Sequence, residues 1–436
     1  MSESLKLGVS SRIITPEIGC NLMGYRPNVI STSVNDDLKV TAFVFSQGET
    51  LAAMLSIDVC VIKTEICDLI RDKLEAEFGI PRKSCIVHAI HTHSGPNLSG
   101  ETGWGDINEE YLNGTFLTGV MDATREALGS MKPVKMGYAS GDSYVGINRR
   151  EITIRNTVRL GQNPWGAFNP KMTVISFRDE ENKPVANIVH YGCHATAAGM
   201  NYEISRDWPG VMVDVLAEMS EAPTAFFNGP EGDVGPRMTN GSTTGRQLAR
   251  YAMEIGGAAA QDVMRIYRDV RAFHDVELAV INDKLELPLE PLMGYEEAKA
   301  LYEEFKGETV NLRGKKAKYY KELVELHESG YVSKETLPIE QTIIRLGDVA
   351  FVGFPYELFS EIGMRIAQES NVPLTLSLCL ANGTEGYFVT EDQICRGGYE
   401  VDSFKTAYVQ PYADNADWFM VTETLKNLKK FDEKGE

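Results

Sequence analysis

Residues 87–97 read VHAIHTHSGPN, with three histidines in six positions and a Gly-Pro pair soon after them. The apolar run that leads into them, CIVHAIH, has the composition of a buried β-strand. Side chains of a strand alternate between its two faces, so His91 and His93 share a face if the strand continues, whereas His88 points to the other side. The Gly-Pro pair would end the strand, and we therefore expect His91 and His93 to stand at a cleft.

A second histidine pair lies in the segment HYGCHATAAG, which begins at His190. His190 is inside an apolar run, while His194 falls on the predicted exit loop, where binding residues are common. Imidazole is a frequent metal ligand and also titrates near neutral pH. We predict that His91, His93 and His194 bind metal or carry protons, and that His88 and His190 are structural.

Strand-like and helix-like patterns alternate along the chain, which predicts an α/β (α+β) fold of mixed β-sheets flanked by helices. The segment at about 295–330 is charged and helix-prone, and it predicts a helical hairpin. A solvated helical pair is the favoured interpretation of that segment, and a cap over a cleft is the alternative. No internal repeat or linker is visible in the sequence. Strands are predicted at 41–47, 50–59, 85–91, 172–179, 185–192, 224–229, 342–354 and 374–382, and helices at 62–79, 108–131, 243–267 and 357–370.

Composition excludes several classes of protein. The formal charge of −19 disfavours binding to nucleic acid, which requires clustered Lys and Arg. No apolar run approaches eighteen residues, so we expect neither a membrane span nor stable membrane association. The seven cysteines form no C-x-x-C pair, and the first residues lack the features of a secretory signal. These observations favour a cytoplasmic protein with reduced thiols and a small-molecule substrate, and they leave the oligomeric state unknown.

Five blocks of the sequence resemble, in the same order, blocks of the neutral/alkaline non-lysosomal ceramidase family. They are RIITPEIGCNLMGYRP, HTHSGP, GCHAT followed by ISRDWPG, NGPEGDVGPR, and ANGTEGYFVTEDQICRGGYE. Together they run from residue 12 to residue 400, nearly the whole chain. The resemblance implies a single ceramidase-like catalytic domain over residues 1–436 that holds one zinc ion (Zn2+), with the segment at about 295–330 as a helical insertion and without the C-terminal β-sandwich domain of longer members.

The resemblance also implies roles for individual residues. Its zinc ligands fall on His91, His194, Glu357 and Tyr387, and its catalytic helpers fall on His93, Arg149 and Tyr399. From position alone, Asp207 and Asp233 are candidates to orient a ligand histidine, although capping of a turn is the commoner use of such an aspartate.

Two departures from the family pattern bear on the substrate. Gly235 stands where ceramidases carry a serine that contributes to amide hydrolysis, and Tyr356 replaces a glycine before Glu357, which predicts a bulky ring beside the site. Both departures disfavour ceramide. The leading hypothesis is a zinc-dependent hydrolase that cleaves an amide, ester or lactone bond in a small polar molecule.

Three alternatives remain open. The first is a metal-dependent lyase or isomerase that abstracts a proton next to a carboxylate or carbonyl. The second is a true ceramidase or N-acyl lipid amidase, and the third is a scaffold that keeps zinc for stability.

Overall fold

The computed structural model describes residues 3–101, 104–238, 249–309 and 311–433. Short and long strands are both numbered in chain order. They are β1 (Lys6–Ile13), β2 (Asn21–Met23), β3 (Val29–Ile30), β4 (Ser33–Val34), β5 (Lys39–Gln47), β6 (Thr50–Ile57), β7 (Cys85–Ala89), β8 (Gly95–Pro96), β9 (Lys132–Pro133), β10 (Lys135–Asp142), β11 (Gly146–Asn148), β12 (Arg150–Ile152), β13 (Val158–Leu160), β14 (Lys171–Arg178), β15 (Pro184–Tyr191), β16 (Glu203–Ile204), β17 (Thr224–Asn228), β18 (Val234–Pro236), β19 (Leu278–Pro288), β20 (Thr336–Leu346), β21 (Val349–Gly353), β22 (Glu357–Leu358), β23 (Leu374–Leu378) and β24 (Tyr387–Phe388).

The helices alternate with the strands. They are α1 (Thr64–Phe78), α2 (Leu117–Gly129), α3 (Asp207–Ser220), α4 (Ala249–Arg268), α5 (Tyr295–Phe305), α6 (Asn311–Glu328), α7 (Ser360–Glu369), α8 (Glu391–Ile394), α9 (Tyr399–Lys405) and α10 (Ala416–Glu433), with a 3₁₀ turn at Arg82–Ser84 and a π-helical stretch at Tyr111–Phe116. In the described part of the chain, no helix is both long enough and apolar enough to cross a membrane. The predicted mixed α/β class is confirmed.

One topology occurs three times along the chain. In each unit three strands pair antiparallel, a helix follows, and a fourth strand pairs parallel with the third. A second helix then packs back on the first strand of the unit. The first unit is β1, β5, β6, α1, β7 and α2; the second is β10, β14, β15, α3, β17 and α4; the third is β19, β20, β21, α7, β23 and α10. The sequence shows no matching repeat, so the repetition lies in the topology alone.

The three sheets share one central core. Their inward-facing side chains include Phe43 from the first unit, Phe177 from the second and Phe351 from the third, all fully buried. Two further apolar clusters lie between the outer faces of the sheets and the helices. Each sheet is therefore covered on both faces, which is typical of strands with continuous apolar runs.

The fourth strands of the three units meet at their carboxyl ends. The backbone N–H of Asn228, the last residue of β17, donates to Nε2 of His88 in β7 at 2.9 Å. The backbone carbonyl of Asn228 accepts from the N–H of Cys379, just after β23, at 3.1 Å. Loops that leave these strand ends therefore emerge into one region, as ligand-binding loops do in other open α/β sheets.

The sequence analysis did not predict the first strand of any unit, helix α3 or the last helix, α10. β1, β10 and β19 mix buried with partly exposed positions and contain several polar residues, so their apolar signal is weak. The third predicted helix begins at residue 243, and its part before residue 249 lies outside the described residues. Two helices, α5 and α6, occupy the segment at about 295–330.

Candidate metal centre and active site

His91 stands on a loop rather than on a continuing strand. β7 ends at Ala89, so the predicted shared strand face of His91 and His93 is wrong. His91 has a left-handed backbone (φ 69°), which few residues other than glycine adopt. Its N–H donates to the carbonyl of Val59 at 3.0 Å, and its Nδ1 donates to the carbonyl of Cys60 at 2.8 Å. The loop after β6 thus fixes both the backbone and the ring of His91.

His194 follows β15 on the predicted exit loop and is fully buried. Its Nδ1 donates to the carbonyl of Glu231 at 2.8 Å, in the loop after β17. A carbonyl oxygen can only accept a hydrogen bond, so Nδ1 carries the proton and a neutral ring has a bare lone pair on Nε2. The same argument holds for His91. Both imidazoles therefore present Nε2 to the region between them.

Glu357 and Tyr387 are placed side by side by the parallel pairing of β22 with β24. Oε2 of Glu357 lies 3.0 Å from Nε2 of His194 and 3.4 Å from Nε2 of His91. The hydroxyl of Tyr387 lies 3.4 Å from Nε2 of His194. The Glu357 side chain is nearly buried, yet its Oε2 has no hydrogen-bond partner among the described residues.

These donor atoms fit a metal ion. In a tetrahedral zinc site with arms of about 2.1 Å, neighbouring donors are about 3.4 Å apart. The separations around His194 and Glu357 are of that size, and the imidazole and carboxylate donors are ones that zinc accepts. A buried carboxylate oxygen that faces two lone pairs would be strongly unfavourable unless a cation or a proton lay between them.

Charges in the cluster shift the pKa values strongly when no metal is present. Burial alone would lower the pKa of His91, but the carboxylate of Glu357 outweighs it and holds this pKa well above its usual range. Burial alone would raise the pKa of Glu357, but His91 and His194 hold it well below its usual range. Metal binding at these residues would therefore displace a proton, which makes affinity dependent on pH.

His93 lies beside the cluster. Its Nε2 is 3.1 Å from Nε2 of His91, and its ring packs edge-on against Tyr25 with 4.9 Å between ring centroids. Burial, and then the nearby His91 and His194, lower the pKa of His93 well below its usual range. The ring is therefore neutral near pH 7, the form that can accept a proton.

A second group of donors contains His93. The ligand atoms of Cys60, His91 and His93 also lie within 4.8 Å of one another. In that group the thiol of Cys60 faces Nδ1 of His91, at 3.7 Å, which already donates to a carbonyl. His91, His194 and Glu357 form the better candidate metal site, because each of them turns a possible ligand atom, Nε2 or Oε2, toward the others.

Arg149 links Tyr387, in the candidate metal site, to Glu400 behind it. It lies between β11 and β12, and its Nη2 donates to the hydroxyl of Tyr387 at 2.9 Å. Its Nε donates to Oε1 of Glu400 at 3.0 Å.

Tyr399, the first residue of α9, packs its ring edge-on against Tyr387 with 5.5 Å between centroids, and 41% of its surface is exposed. Partial burial of the ring and the negative charge of Glu357 raise the pKa of Tyr399, so its hydroxyl stays protonated and able to donate.

The structure thus brings His91, His194, Glu357 and Tyr387 together, with His93, Arg149 and Tyr399 around them. The two histidines interpreted as structural, His88 and His190, form hydrogen bonds with main-chain groups. His88 accepts from the backbone N–H of Asn228, and His190 donates from Nε2 to the carbonyl of Ser377 at 2.8 Å.

Three expectations about neighbouring residues need correction or refinement. Tyr356 does not stand beside the site, because its ring is fully buried and its hydroxyl is 2.6 Å from that of Tyr412. Asp207 accepts the backbone N–H groups of Ala197 and Ala198, and so stabilises the loop after His194 as a turn cap. Asp233 accepts from Ser360 and Asn148, so main-chain carbonyls, not these aspartates, orient the candidate ligand histidines.

Sequence reasoning missed Glu231 and Glu400. Glu231 is fully buried, and burial raises the pKa of its carboxyl group to about 8. Glu400 binds Arg149 and Arg150. No local pattern marks either residue, and the arginine partners of Glu400 lie about two hundred and fifty residues earlier in the chain. Gly235 is in β18 opposite Ile147, with no side chain to offer the site.

The fold and the site define a mixed α/β protein with a buried candidate metal centre at the meeting point of three sheets. Residues 5–250 match the family model described as neutral/alkaline non-lysosomal ceramidase, N-terminal. The match spans more than half of the chain, and the protein therefore belongs to the neutral/alkaline non-lysosomal ceramidase family.

Two solved structures have the same fold. The neutral ceramidase from Pseudomonas aeruginosa superposes with a TM-score of 0.76 at 18% identity, over 99% of this chain and 75% of that one. A ceramidase complexed with C2 superposes with a TM-score of 0.75 at 17% identity, over 99% of this chain and 76% of that one. The chain has the ceramidase-like hydrolase fold.

Proposed function

We propose that this protein is a zinc-dependent hydrolase, of amidohydrolase or esterase type, that cleaves an amide, ester or lactone bond in a small polar molecule. The observation that carries the proposal is the convergence of His91 and His194 on the unpartnered Oε2 of Glu357, with the hydroxyl of Tyr387 3.4 Å from Nε2 of His194. Zinc, when bound, polarises a carbonyl group and lowers the pKa of water to about 7.

The remaining side chains have separate tasks in the proposed reaction. His93 is neutral and accepts the proton of the attacking water, then returns it to the leaving group. Arg149 and Tyr399 donate to the oxygen on which negative charge develops. Since Gly235 has no hydroxyl, no serine is available at that place, and His93 is the base that acts on water.

The support for a small polar substrate is the character of the groups beside the donors. His93, Arg149 and Tyr399 are all polar, and each offers or accepts a hydrogen bond. Such groups discriminate strongly between substrates that can pair with them and substrates that cannot.

The test combines metal analysis with a substrate panel. The purified protein should contain about one zinc ion per chain and should hydrolyse members of a panel of N-acyl amino acids, aryl esters and sugar lactones. A short-chain N-acylsphingosine in the panel tests the lipid alternative. Labelled oxygen from ¹⁸O water should enter the acid product, which would not occur in a lyase or isomerase reaction.

A pair of histidine variants separates the metal centre from general packing. His91→Ala should lose zinc, and its kcat should fall by at least about a thousandfold. His190→Gln should keep the zinc content and the kcat of the wild type. Full zinc content and activity in His91→Ala would refute the proposal.

A further inference from the structure

Two consecutive arginines share one buried carboxylate behind the candidate metal centre. Nε of Arg149 donates to Oε1 of Glu400 at 3.0 Å, and Nη1 of Arg150 donates to Oε2 of the same side chain at 2.6 Å. The three residues are 4%, 3% and 0% exposed. Because water is excluded, each of these charged hydrogen bonds is strong, and loss of one partner would leave an unpaired buried charge.

The two arginines contact different groups, and Arg149 is the one that reaches the candidate metal site. Glu400 holds the Nε edge of Arg149, which leaves Nη2 to donate to the hydroxyl of Tyr387 at 2.9 Å. The guanidinium carbon of Arg149 also lies 5.5 Å from the centroid of the Tyr387 ring. The orientation of Arg149 over Tyr387 is therefore set by Glu400.

Arg150 acts on the other side of the same carboxylate. Its Nη2 donates to the carbonyl of Gly397 at 2.7 Å, and its Nε is 3.4 Å from Oε1 of Gln393. It thus binds two points of the segment that leads into α9, at Gln393 and Gly397, and a third point, Glu400, within α9 itself. This segment carries Tyr399 directly before Glu400, so Arg150 also fixes the backbone from which Tyr399 projects.

The charges of this group do not cancel. Two guanidinium groups face one carboxylate, which leaves one positive charge in a buried region next to Tyr387. That surplus favours negative charge on neighbouring groups, since electrostatic interactions are strong where water is excluded. Glu400 therefore limits the positive charge without removing it.

We propose that Glu400 and Arg150 are positioning residues of this site: Glu400 orients Arg149 toward Tyr387, and Arg150 holds Glu400 and the start of α9 in place. Among the contacts of the described residues, neither binds His91, His194 or Glu357. The catalytic consequence rests on the proposed function, whereas the orientation of Arg149 can be tested through zinc affinity alone.

The test is a double-mutant cycle with Glu400→Gln and Arg149→Met in the full-length protein. Zinc affinity is measured by competition with a chromophoric chelator, and kcat and KM are measured on the best substrate of the panel. Glu400→Gln should weaken zinc affinity by about tenfold, the size usual for partners of metal ligands, and should lower kcat as well. In the Arg149→Met background, Glu400→Gln should cause almost no further loss of zinc affinity or kcat, because Glu400 acts on the site only by orienting Arg149.

An equal loss in both backgrounds would overturn the proposal, since Glu400 would then act independently of Arg149. If Glu400→Gln does not fold, Arg150→Lys gives a second route, because it keeps the charge but removes the fork that binds both Glu400 and Gly397. Arg150→Lys should also be non-additive with Arg149→Met, and additivity would equally refute the inference.

A matched control exists away from the centre. Arg71, in α1, is 1% exposed and pairs with Glu340 in β20. Glu340→Gln should lower stability but leave zinc affinity and kcat unchanged, in either Arg149 background.

The two proposals can fail separately. A wild-type protein that binds zinc but hydrolyses nothing refutes the proposed function, and the cycle in zinc affinity still decides the role of Glu400. A wild-type protein that neither binds zinc nor hydrolyses any substrate overturns both.

Discussion

At the level of single residues, His91 and His194 are oriented by main-chain carbonyls. The carbonyls of Cys60 and Glu231 accept the Nδ1 protons, so no substitution of a neighbouring side chain removes these hydrogen bonds directly. Partners of this kind set both the tautomer and the direction of a metal-binding imidazole. The orientation of both rings therefore depends on the paths of the loops after β6 and β17.

Because His190 is buried, we expect the free energy of unfolding to fall at acid pH. Burial lowers the pKa of His190 to about 4, from an ordinary value of 6.5. Between these values the unfolded chain binds a proton that the folded protein does not, so stability falls as pH decreases. At pH 5 this single residue should reduce the free energy of unfolding by about 2 kcal/mol relative to pH 7.

His190→Gln should remove that dependence, because an amide N–H can still donate to the carbonyl of Ser377 but does not titrate. Urea unfolding of wild type and variant at pH 5 and pH 7 measures the difference. Parallel changes with pH in the two proteins would show that His190 titrates normally in the folded state.

The residues that sequence identified and those that it missed differ in a physical way. His91 and His93 are marked by their spacing at the end of an apolar run, a signal contained in a few residues. Tyr387 and Glu357 were recognised only through family resemblance. Glu400 acts through Arg149, about two hundred and fifty residues earlier, and no local pattern can report such a pairing.

At the level of elements, the turn after β2 holds His93 in place. Gly24 has a φ of 130°, and a Cβ built on it would lie 2.4 Å from Cγ of the His93 ring. Gly24→Ala should therefore displace His93, lower kcat more than about tenfold and reduce stability by about 1–3 kcal/mol. Steady-state kinetics and thermal unfolding measure the two effects.

Gly19 provides the control for backbone strain. Its φ is 100°, but a Cβ there meets nothing within 4 Å. Gly19→Ala should lose a similar amount of stability and keep full activity. If the two variants had the same kcat, the packing of Gly24 on His93 would have no part in the reaction.

The helical pair α5–α6 has a small core of its own. Its buried apolar residues are Ala298, Tyr319 and Leu323, and a salt bridge from Lys315 to Glu101, at 3.5 Å, joins it to the loop after β8. Elements with few buried contacts open at lower free energy than the main core. We therefore expect the backbone amides of α6 to exchange with solvent much faster than those of β5 and β6.

Helix α10 is the matched comparison for hydrogen exchange, because it has the same length of 18 residues as α6. Its buried residues include Met420, Leu428 and Phe431, which pack into the large core. Native-state exchange followed by mass spectrometry should show stronger protection in α10 than in α6. Equal protection would mean that α5–α6 is packed as firmly as the main core of the protein.

Strands were predictable from sequence where both faces are covered. β7 is buried at every position and β15 at most of them, and both were predicted. β1, β10 and β19 begin their units and mix buried with partly exposed positions, so their apolar patterns were too weak to predict a strand. The sequence therefore predicted the strands that lead to His91 and His194, but it missed the first strand of each sheet and the short strands β22 and β24, which place Glu357 and Tyr387.

At the level of the whole molecule, the candidate centre draws one donor or more from every unit. His91 comes from the first, His194 from the second, and Glu357 and Tyr387 from the third. An ion bound there would join three sheets that otherwise meet through the central core.

Metal removal should therefore destabilise the whole protein. At a free zinc concentration about a hundred times Kd, binding adds about 2.7 kcal/mol to the free energy of unfolding. For a chain of 436 residues this corresponds to about 3 °C in Tm. Calorimetry of the zinc-loaded protein and of the protein treated with a chelator measures the shift, and His91→Ala should show none.

Because the donors come from all three units, the candidate metal centre can form only late in the synthesis of the chain. During synthesis, the first two units are complete while the residues that supply Glu357 and Tyr387 have not yet been made. A nascent chain at that stage has two converging imidazoles but no carboxylate or phenol to complete the set. Metal capture would thus be a late event, and a tightly held ion would mark a molecule whose three units have all been synthesised and packed.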